Sequence, residues 1–478
     1  MDMPEVETVV AGFIMPHPPV IVPGVGAGPM LAGRTVAAIN ELVGELARLK
    51  PDTIVLISPH APSFSDYLYF YDQDELIGDL SSFGAPQVRV SLKQDQEYFE
   101  QLTLALHAAG LASGSLNAQQ MKKFLAEEKL DHGSVVPLYF LHRAGSFRLV
   151  VMASAGLPLP DLYKVGQIIR DTAALLGRKI LIVASGDQSH KVNKESPYGT
   201  TVEGAEYDRV VVEALQNGDL VKILSIEHIL RQKAAECGFR SMVMLCGAFA
   251  GRAVKGRVFS YEAPYGIGYC VASVEPDPDR TGSVPDALST ALSRMRQKDE
   301  AGQLSASAPV RIAREALENY VYNHRMSKTE EFAALVKDET WLNNRSAVFV
   351  SLKKFGELRG CIGTTKPTAS SIVDEIIQNA VSAGQHDPRF DPVEADELPD
   401  LTYSVDVLGV PEPVAGAKDL DPSVYGVIVQ DGSHSGLLLP DLEGVDTVRD
   451  QLAIACRKAG IRPGQAYKIK RFRVDRYH

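Results

Sequence analysis

Residues Lys179 to Asp208 read KILIVASGDQSHKVNKESPYGTTVEGAEYD. The apolar run Ile180 to Ala184 has the length and branched side chains of a strand buried on both faces, and it stops abruptly in the polar turn Ser185-Gly186-Asp187-Gln188-Ser189-His190. Polar side chains are thereby delivered at the carboxyl end of a strand, where open α/β sheets build their sites. Two other runs share this design: Gly12-Phe13-Ile14-Met15 leads into His17, and Thr53-Ile54-Val55-Leu56-Ile57-Ser58 leads into His60. A fourth histidine, His132, lies in the loop-like segment Asp131-His132-Gly133-Ser134-Val135-Val136-Pro137 after an amphipathic helical stretch.

Working outward, the first run is followed by a Pro/Gly-rich loop, Pro16 to Pro29, and then by residues Ala32 to Leu49, whose Val36, Ile39, Leu42, Val43 and Leu46 recur at helical spacing. A crossover helix that returns the chain to a parallel strand fits this order. Residues 66–92 add strands or a loop cover, Gln96 to Ala109 reads as a helix, Phe147 to Ala153 as a strand and Leu162 to Leu176 as a helix. Beyond Asp208, helical runs at Ala205 to Leu215 and Leu220 to Ala235 precede a small apolar stretch, Cys237 to Gly251, suited to a buried helix. Val258 to Ala263 and Gly268 to Val274 close the sheet as its antiparallel edge. Residues 1–275 therefore form one α/β unit, a mixed, mainly parallel sheet flanked by helices.

Composition changes at residues 276–308, where Pro, Asp, Ser and Arg dominate, so this stretch reads as a linker with a short helix at Ala287 to Arg296. Residues 309–478 form a smaller α+β domain. It opens with a helix, Val310 to Tyr322, and has strands at Ala347 to Leu352 and near Cys361-Ile362. A helix capped by Ser370 or Ser371 runs to Ala383; strands follow at Thr402 to Val410, Gly426 to Gln430 and Leu437 to Leu439, with a helix at Val448 to Lys458.

The 478 residues are enough for two or three cores. A net charge of −11, with no long basic block, argues against non-specific binding to nucleic acid or anionic lipid. No apolar stretch reaches the roughly 20 residues that span a bilayer. The early acidic residues of MDMPEVETVV do not make a secretory signal. Five widely spaced cysteines without a C-x-x-C pair fit a reducing cytoplasm.

Divalent iron that must take both a chelating substrate and dioxygen needs two neutral imidazoles and one carboxylate on one octahedral face. His17 and His60 are the candidate imidazoles and Glu206 the candidate carboxylate, with His190 as its substitute. Asp187 is expected to accept hydrogen bonds within its turn. His107, His142 and His228 read as surface or structural residues.

The PHPP loop around His17, the SPH strand end at His60, the segment D-H-G-S-V-V-P-L and the turn S-G-D-Q-S-H followed by A-E-Y-D together resemble the class III (LigB-type) extradiol ring-cleaving dioxygenases over residues 10–275. The resemblance implies that His17, His60 and Glu206 bind Fe(II), that His132 is an acid/base near the substrate oxygens, and that His190 touches substrate or supports a ligand. In the related Memo-like proteins a Cys-His pair occupies the turn. Here the pair is Ser189-His190, so that thiol is expected to be missing. A catechol or related aromatic and O2 would be the substrates, with Phe13, Met15 and Tyr198 as candidate ring contacts. The competing readings are a Zn(II) or Mn(II) hydrolase or C–C lyase in the same pocket, and a non-catalytic metal-binding scaffold.

Leu358-Arg359-Gly360-Cys361-Ile362-Gly363, with the stretch from Asn379 to Val393, resembles the AMMECR-type domain over residues 309–478. Cys361 reads first as a buried strand residue, although a thiol beside a guanidinium is open to activation. Arg359 is the better candidate for a carboxylate or phosphate contact. Such modules recur beside radical S-adenosylmethionine enzymes, which implies a partner of that class. The sequence leaves a homo-oligomer open.

Overall fold

The computed structural model describes residues 8–26, 31–280, 284–304, 306–336, 340–414, 416–432, 434–442, 445, 447–462 and 465–478; for 298–304 only the backbone is described. The last residues of the expected loop 16–29, and 281–283 and 305 of the expected linker, lie outside these. The chain divides into two compact units between Met295 and Arg296.

The N-terminal unit is built on a six-stranded sheet in the order Arg148–Ala153, Thr53–Ser58, Ile180–Ser185, Val9–Met15, Tyr269–Pro276, Val254–Glu262. The first four strands run parallel, and the last two complete an antiparallel edge. Helices Gly33–Leu49 and Leu159–Leu176 provide the long crossovers that join parallel strands of one sheet, each passing over one intervening strand. Alternation along each strand divides the apolar residues between the two faces. Val55, Ile57, Ile180 and Ile182 pack with Tyr163, Ile169 and Met244. Ile54, Leu56, Leu181 and Val183 pack with Ile39, Leu42, Leu46 and Leu138. Ile54, Val55, Leu56 and Ile57 have no exposed surface, and burial of each contributes about 2 kcal/mol, which makes this strand a firm base for His60.

Strand register brings the histidines together. Ala184 lies opposite both Ile14 and Ile57, and Met15 lies opposite Ser185, so three strands end level and release their following residues at one edge.

His132 is not in a loop. It opens the helix His132–Leu141, whose N-cap is Asp131, with the carboxylate accepting from the Ser134 amide. The helix is buried along most of its length, so it has no polar stripe for a periodicity reading to find. Its Pro137 lacks the N–H that would have bonded to the Gly133 carbonyl. The expected linker is also more ordered than its composition suggests. Its helix runs from Ala287 to Leu304, and Ala287 and Ala291 are buried in the N-terminal core.

In the C-terminal unit, one antiparallel sheet has the order Glu357–Gly363, Val348–Lys354, Leu401–Leu408, Val474–Tyr477, and its core is closed by helices Ala308–Asn323 and Ile372–Gln385. A second sheet, Glu412–Val414, Lys468–Phe472, Gly426–Asp431, His434–Leu438, packs with helix Val448–Ala459. Gly360 sits where its strand touches helix Ile372–Gln385; a Cβ there would run into the Ala383 carbonyl. Among the described residues no helix is long and apolar enough to cross a membrane.

Candidate metal centre

His17 follows the strand Val9–Met15, His60 follows Thr53–Ser58, and His132 is the first residue of its helix. One ring nitrogen from each lies within 4.8 Å of the others. His17 is buried, His132 half-buried and His60 exposed, so the cluster has a closed base and an open mouth.

Each imidazole is held by its neighbours. His17 Nδ1 lies 2.9 Å from Ser185 Oγ, and Ser185 Oγ donates its only proton to the Gly133 carbonyl at 2.6 Å. That carbonyl is the one Pro137 leaves without its helical N–H partner. With the hydroxyl proton committed, Nδ1 must be the donor and Nε2 carries the lone pair. The His17 amide donates to Asp187 Oδ1 at 3.0 Å. Asp131 anchors the other two histidines. It accepts from Ser58 Oγ at 2.6 Å, Ser134 Oγ at 2.8 Å and Tyr71 OH at 3.2 Å, and the His60 amide donates to Ser58 Oγ at 3.2 Å.

A fourth side chain, that of Cys237, enters from the segment before helix Phe239–Ala248. Its Sγ lies 3.6 Å from His17 Nε2, and the Asp187 amide donates to it at 3.3 Å. Gly186 and Gly238 allow this approach, because a Cβ on Gly186 would overlap the Gly238 backbone.

Electrostatics keeps the donors neutral. Burial, followed by the charges of His60, His132 and His190, pushes His17 well below the usual imidazole range. Burial and His60 hold His132 down to about 4 and His190 to about 4. Burial lowers His60 despite the nearby Asp131 carboxylate. Burial pushes the Cys237 thiol well up and the Asp187 carboxyl up to about 7.

The donor set fits a divalent transition metal. His17 Nε2 and His60 Nε2 are 3.0 Å apart. Two bonds of about 2.1 Å at a right angle span about 3.0 Å, and a nitrogen–sulfur pair at the tetrahedral angle spans about 3.6 Å. The facing nitrogens are spaced to share either a proton or a cation.

Several site expectations need correction. Glu206 is exposed on helix Val202–Asn217, bordering a groove with Lys222 and Leu230, while Tyr207 and Asp208 turn inward. A helix turns about 100° per residue, so neighbours in sequence point to different sides. His132, expected to act as an acid/base apart from the ligands, is instead one of the three clustered imidazoles. Phe13 and Met15 have no exposed surface and are packed in the core, where they cannot meet a ligand. The turn itself holds no cysteine, but a thiol from elsewhere in the chain, that of Cys237, stands beside His17. Its only sequence signal was its place beside Gly238 before an apolar helix. Tyr198 is exposed and stacks on His190, with ring centroids 5.4 Å apart.

In the C-terminal unit Arg359 is already engaged. Its Nε and Nη2 donate to Glu397 at 3.1 and 2.8 Å, and Nη1 donates to the Asp391 carbonyl at 2.9 Å. It braces the chain and has little left for an external anion. Cys361 is half-buried; Ser351 Oγ donates to its sulfur at 3.2 Å, and its amide donates to Asp387 at 2.9 Å.

A mixed α/β sheet with clustered imidazoles at its carboxyl edge defines a candidate metalloprotein. The family described as the catalytic LigB subunit of aromatic ring-opening dioxygenase matches residues 11–272, and AMMECR1 matches residues 310–478. The chain belongs to this LigB family and carries an AMMECR1 domain after it. Protein CA_C1420 of Clostridium acetobutylicum is 36% identical over 468 residues, covering 97% of this chain and 98% of that protein. A Thermotoga maritima protein is 49% identical over 170 residues, 35% of this chain and 95% of its own length. The crystal structure of PH0010 from Pyrococcus horikoshii is 32% identical, covers 35% of this chain and 88% of that one, and has a TM-score of 0.31.

Proposed function

We propose that the N-terminal unit is a metal-dependent oxidoreductase of the extradiol dioxygenase type, acting on a catechol or related aromatic with O2. The observation that carries this reading is the imidazole trio His17, His60 and His132, within 4.8 Å at the sheet edge of a LigB-family unit. These three side chains, with Cys237 beside them, would hold the ion. A redox-active ion such as Fe(II) would supply electron transfer between an oxygen-donor aromatic and O2. Ser185 and Asp131 orient the imidazoles before substrate arrives, which removes that ordering from the reaction. His190, outside the trio and held neutral, is the free imidazole available to take a phenolic proton. Fe(II)-reconstituted protein should convert members of a catechol panel to yellow ring-opened products in air and not under argon; an inactive, fully iron-loaded protein would sink the reading.

One observation favours a second reading. Among the described residues no carboxylate joins the three imidazoles, and the nearby donor is a thiol. Such a set also suits Zn(II) in a hydrolase or C–C lyase; Mn(II) suits it less, preferring oxygen donors. Turnover that is independent of O2 would select it. A cytoplasmic location, a radical S-adenosylmethionine partner and self-association belong to the same proposal.

A further inference from the structure

Two large aromatic rings stand partly in water beside this cluster. Phe83 ends the turn Ser81–Phe83 between strands Glu75–Leu80 and Ala85–Lys93. It is 44% exposed, and its ring lies 5.1 Å from that of His132. Tyr198 is 59% exposed and stacks at 27° on His190. Its loop is tied down by the Ser196 hydroxyl, which donates to the His190 carbonyl, and by the Tyr198 amide, which donates to Ser196 Oγ at 3.0 Å. Single exposed apolar side chains are ordinary. Here two rings from distant segments each rest on an imidazole: Phe83 on His132, whose ring lies 4.2 Å from that of the exposed His60, and Tyr198 on His190, which is near enough to His17 and His60 to interact with their charges. Folding leaves both rings uncovered on the side of the cluster where His60 is exposed.

We propose that Phe83 and Tyr198 form an aromatic clamp at the mouth of the histidine cluster, gripping the planar ring of a ligand whose oxygens reach the metal. The clamp selects aromatic over aliphatic chelators, since ring faces and edges attract one another beyond the area they bury. This inference rests on the proposed aromatic chemistry for its choice of ligand, but it is read out by binding alone.

The test uses metal-loaded full-length protein, with 4-nitrocatechol as aromatic probe and oxalate as ring-free chelator. Phe83→Leu and Tyr198→Leu should each weaken 4-nitrocatechol binding by about three- to tenfold, with oxalate affinity held within about twofold and metal content unchanged. If Phe83→Leu disturbs His132 enough to lose metal, Tyr198→Leu decides. Equal 4-nitrocatechol affinity in variant and wild type overturns the clamp, as does a parallel loss of oxalate or a wild type that ignores the catechol. Ring-selective binding without O2-dependent turnover would leave the clamp standing and sink the dioxygenase reading. Turnover with unaltered binding in the variants would do the reverse.

Discussion

His17 and His60 are 43 positions apart in the chain, yet their Nε2 atoms face each other at 3.0 Å. Two parallel strands that end level account for it, because each histidine is the second residue past a strand in the same register. The pairing is therefore a property of the sheet, and it persists as long as the sheet does.

Metal content should follow the cluster and ignore Glu206. His60→Ala should lower the metal retained after purification by at least about tenfold, as expected for losing a ligand, whereas Glu206→Gln should retain the wild-type stoichiometry by elemental analysis. Loss of metal from the Glu206 variant would show that the helix turns in solution to present that carboxylate.

Ser185 fixes the His17 tautomer through Nδ1 and leaves Nε2 available to a metal. Ser185→Ala should weaken metal binding by about 10- to 100-fold, the usual range for a residue that orients a ligand. Competition with a chromophoric chelator measures this, and an unchanged circular dichroism spectrum excludes unfolding. Pro137→Ala should show a smaller loss, because a new amide would compete with Ser185 for the Gly133 carbonyl.

The pH dependence of metal binding tests whether Cys237 is a ligand. Its thiol is pushed well above the ordinary range, mainly by burial, so it is protonated at neutral pH, while His132 and His190, at about 4, are already neutral. Binding through sulfur must expel that proton, so affinity should rise about tenfold per pH unit between about pH 6 and 8. Calorimetry in two buffers of different ionisation enthalpy should find about one proton released by the wild type and none by Cys237→Ala. Zero release from the wild type would remove Cys237 from the ligand set.

Glu397 gives the C-terminal unit an acid-sensitive brace. Burial alone would raise its carboxyl, but hydrogen bonds from Arg359 and Lys354 outweigh this and hold it down to about 2, against an ordinary value of 4.5. A depressed carboxyl contributes stability that is complete above its unfolded value and is lost as pH falls through its folded one. Arg359→Ala should therefore cost about 1 kcal/mol near neutrality, a figure kept low because solvent screens the pair. In urea melts the gap between variant and wild type should close as pH drops from about 4.5 toward about 2. A pH-independent gap would mean that Arg359 acts through packing.

Gly360 tests the meaning of the motif Leu358 to Gly363. Because a Cβ there would strike the Ala383 carbonyl, Gly360→Ala should destabilise the unit by about 1–3 kcal/mol. A neutral substitution would leave the glycine to be explained by something other than strand–helix contact.

The sheet was legible because its signals are local. Ile180 to Ala184 and Thr53 to Ser58 are apolar runs cut off by polar turns, and their short length and β-branched residues favour a doubly covered strand over a buried helix. His17 and His60 were legible for the same reason, since the turn after such a strand has a known destination. From sequence alone His132 reads as a loop residue because its helix is apolar nearly all round and contains Pro137, which hides the periodicity that marks helices at a surface.

By itself the amino-acid sequence determined an α/β unit followed by a smaller α+β unit, and a histidine-rich edge in the first, all of which follow from hydrophobic patterning and turn chemistry over short windows. Only the tertiary structure decided which side chains share the site. Glu206 points outward and Cys237 inward because of helix phase and the close passage of Gly186 against Gly238. Both depend on packing between segments far apart in the chain, and no short window of sequence contains that information.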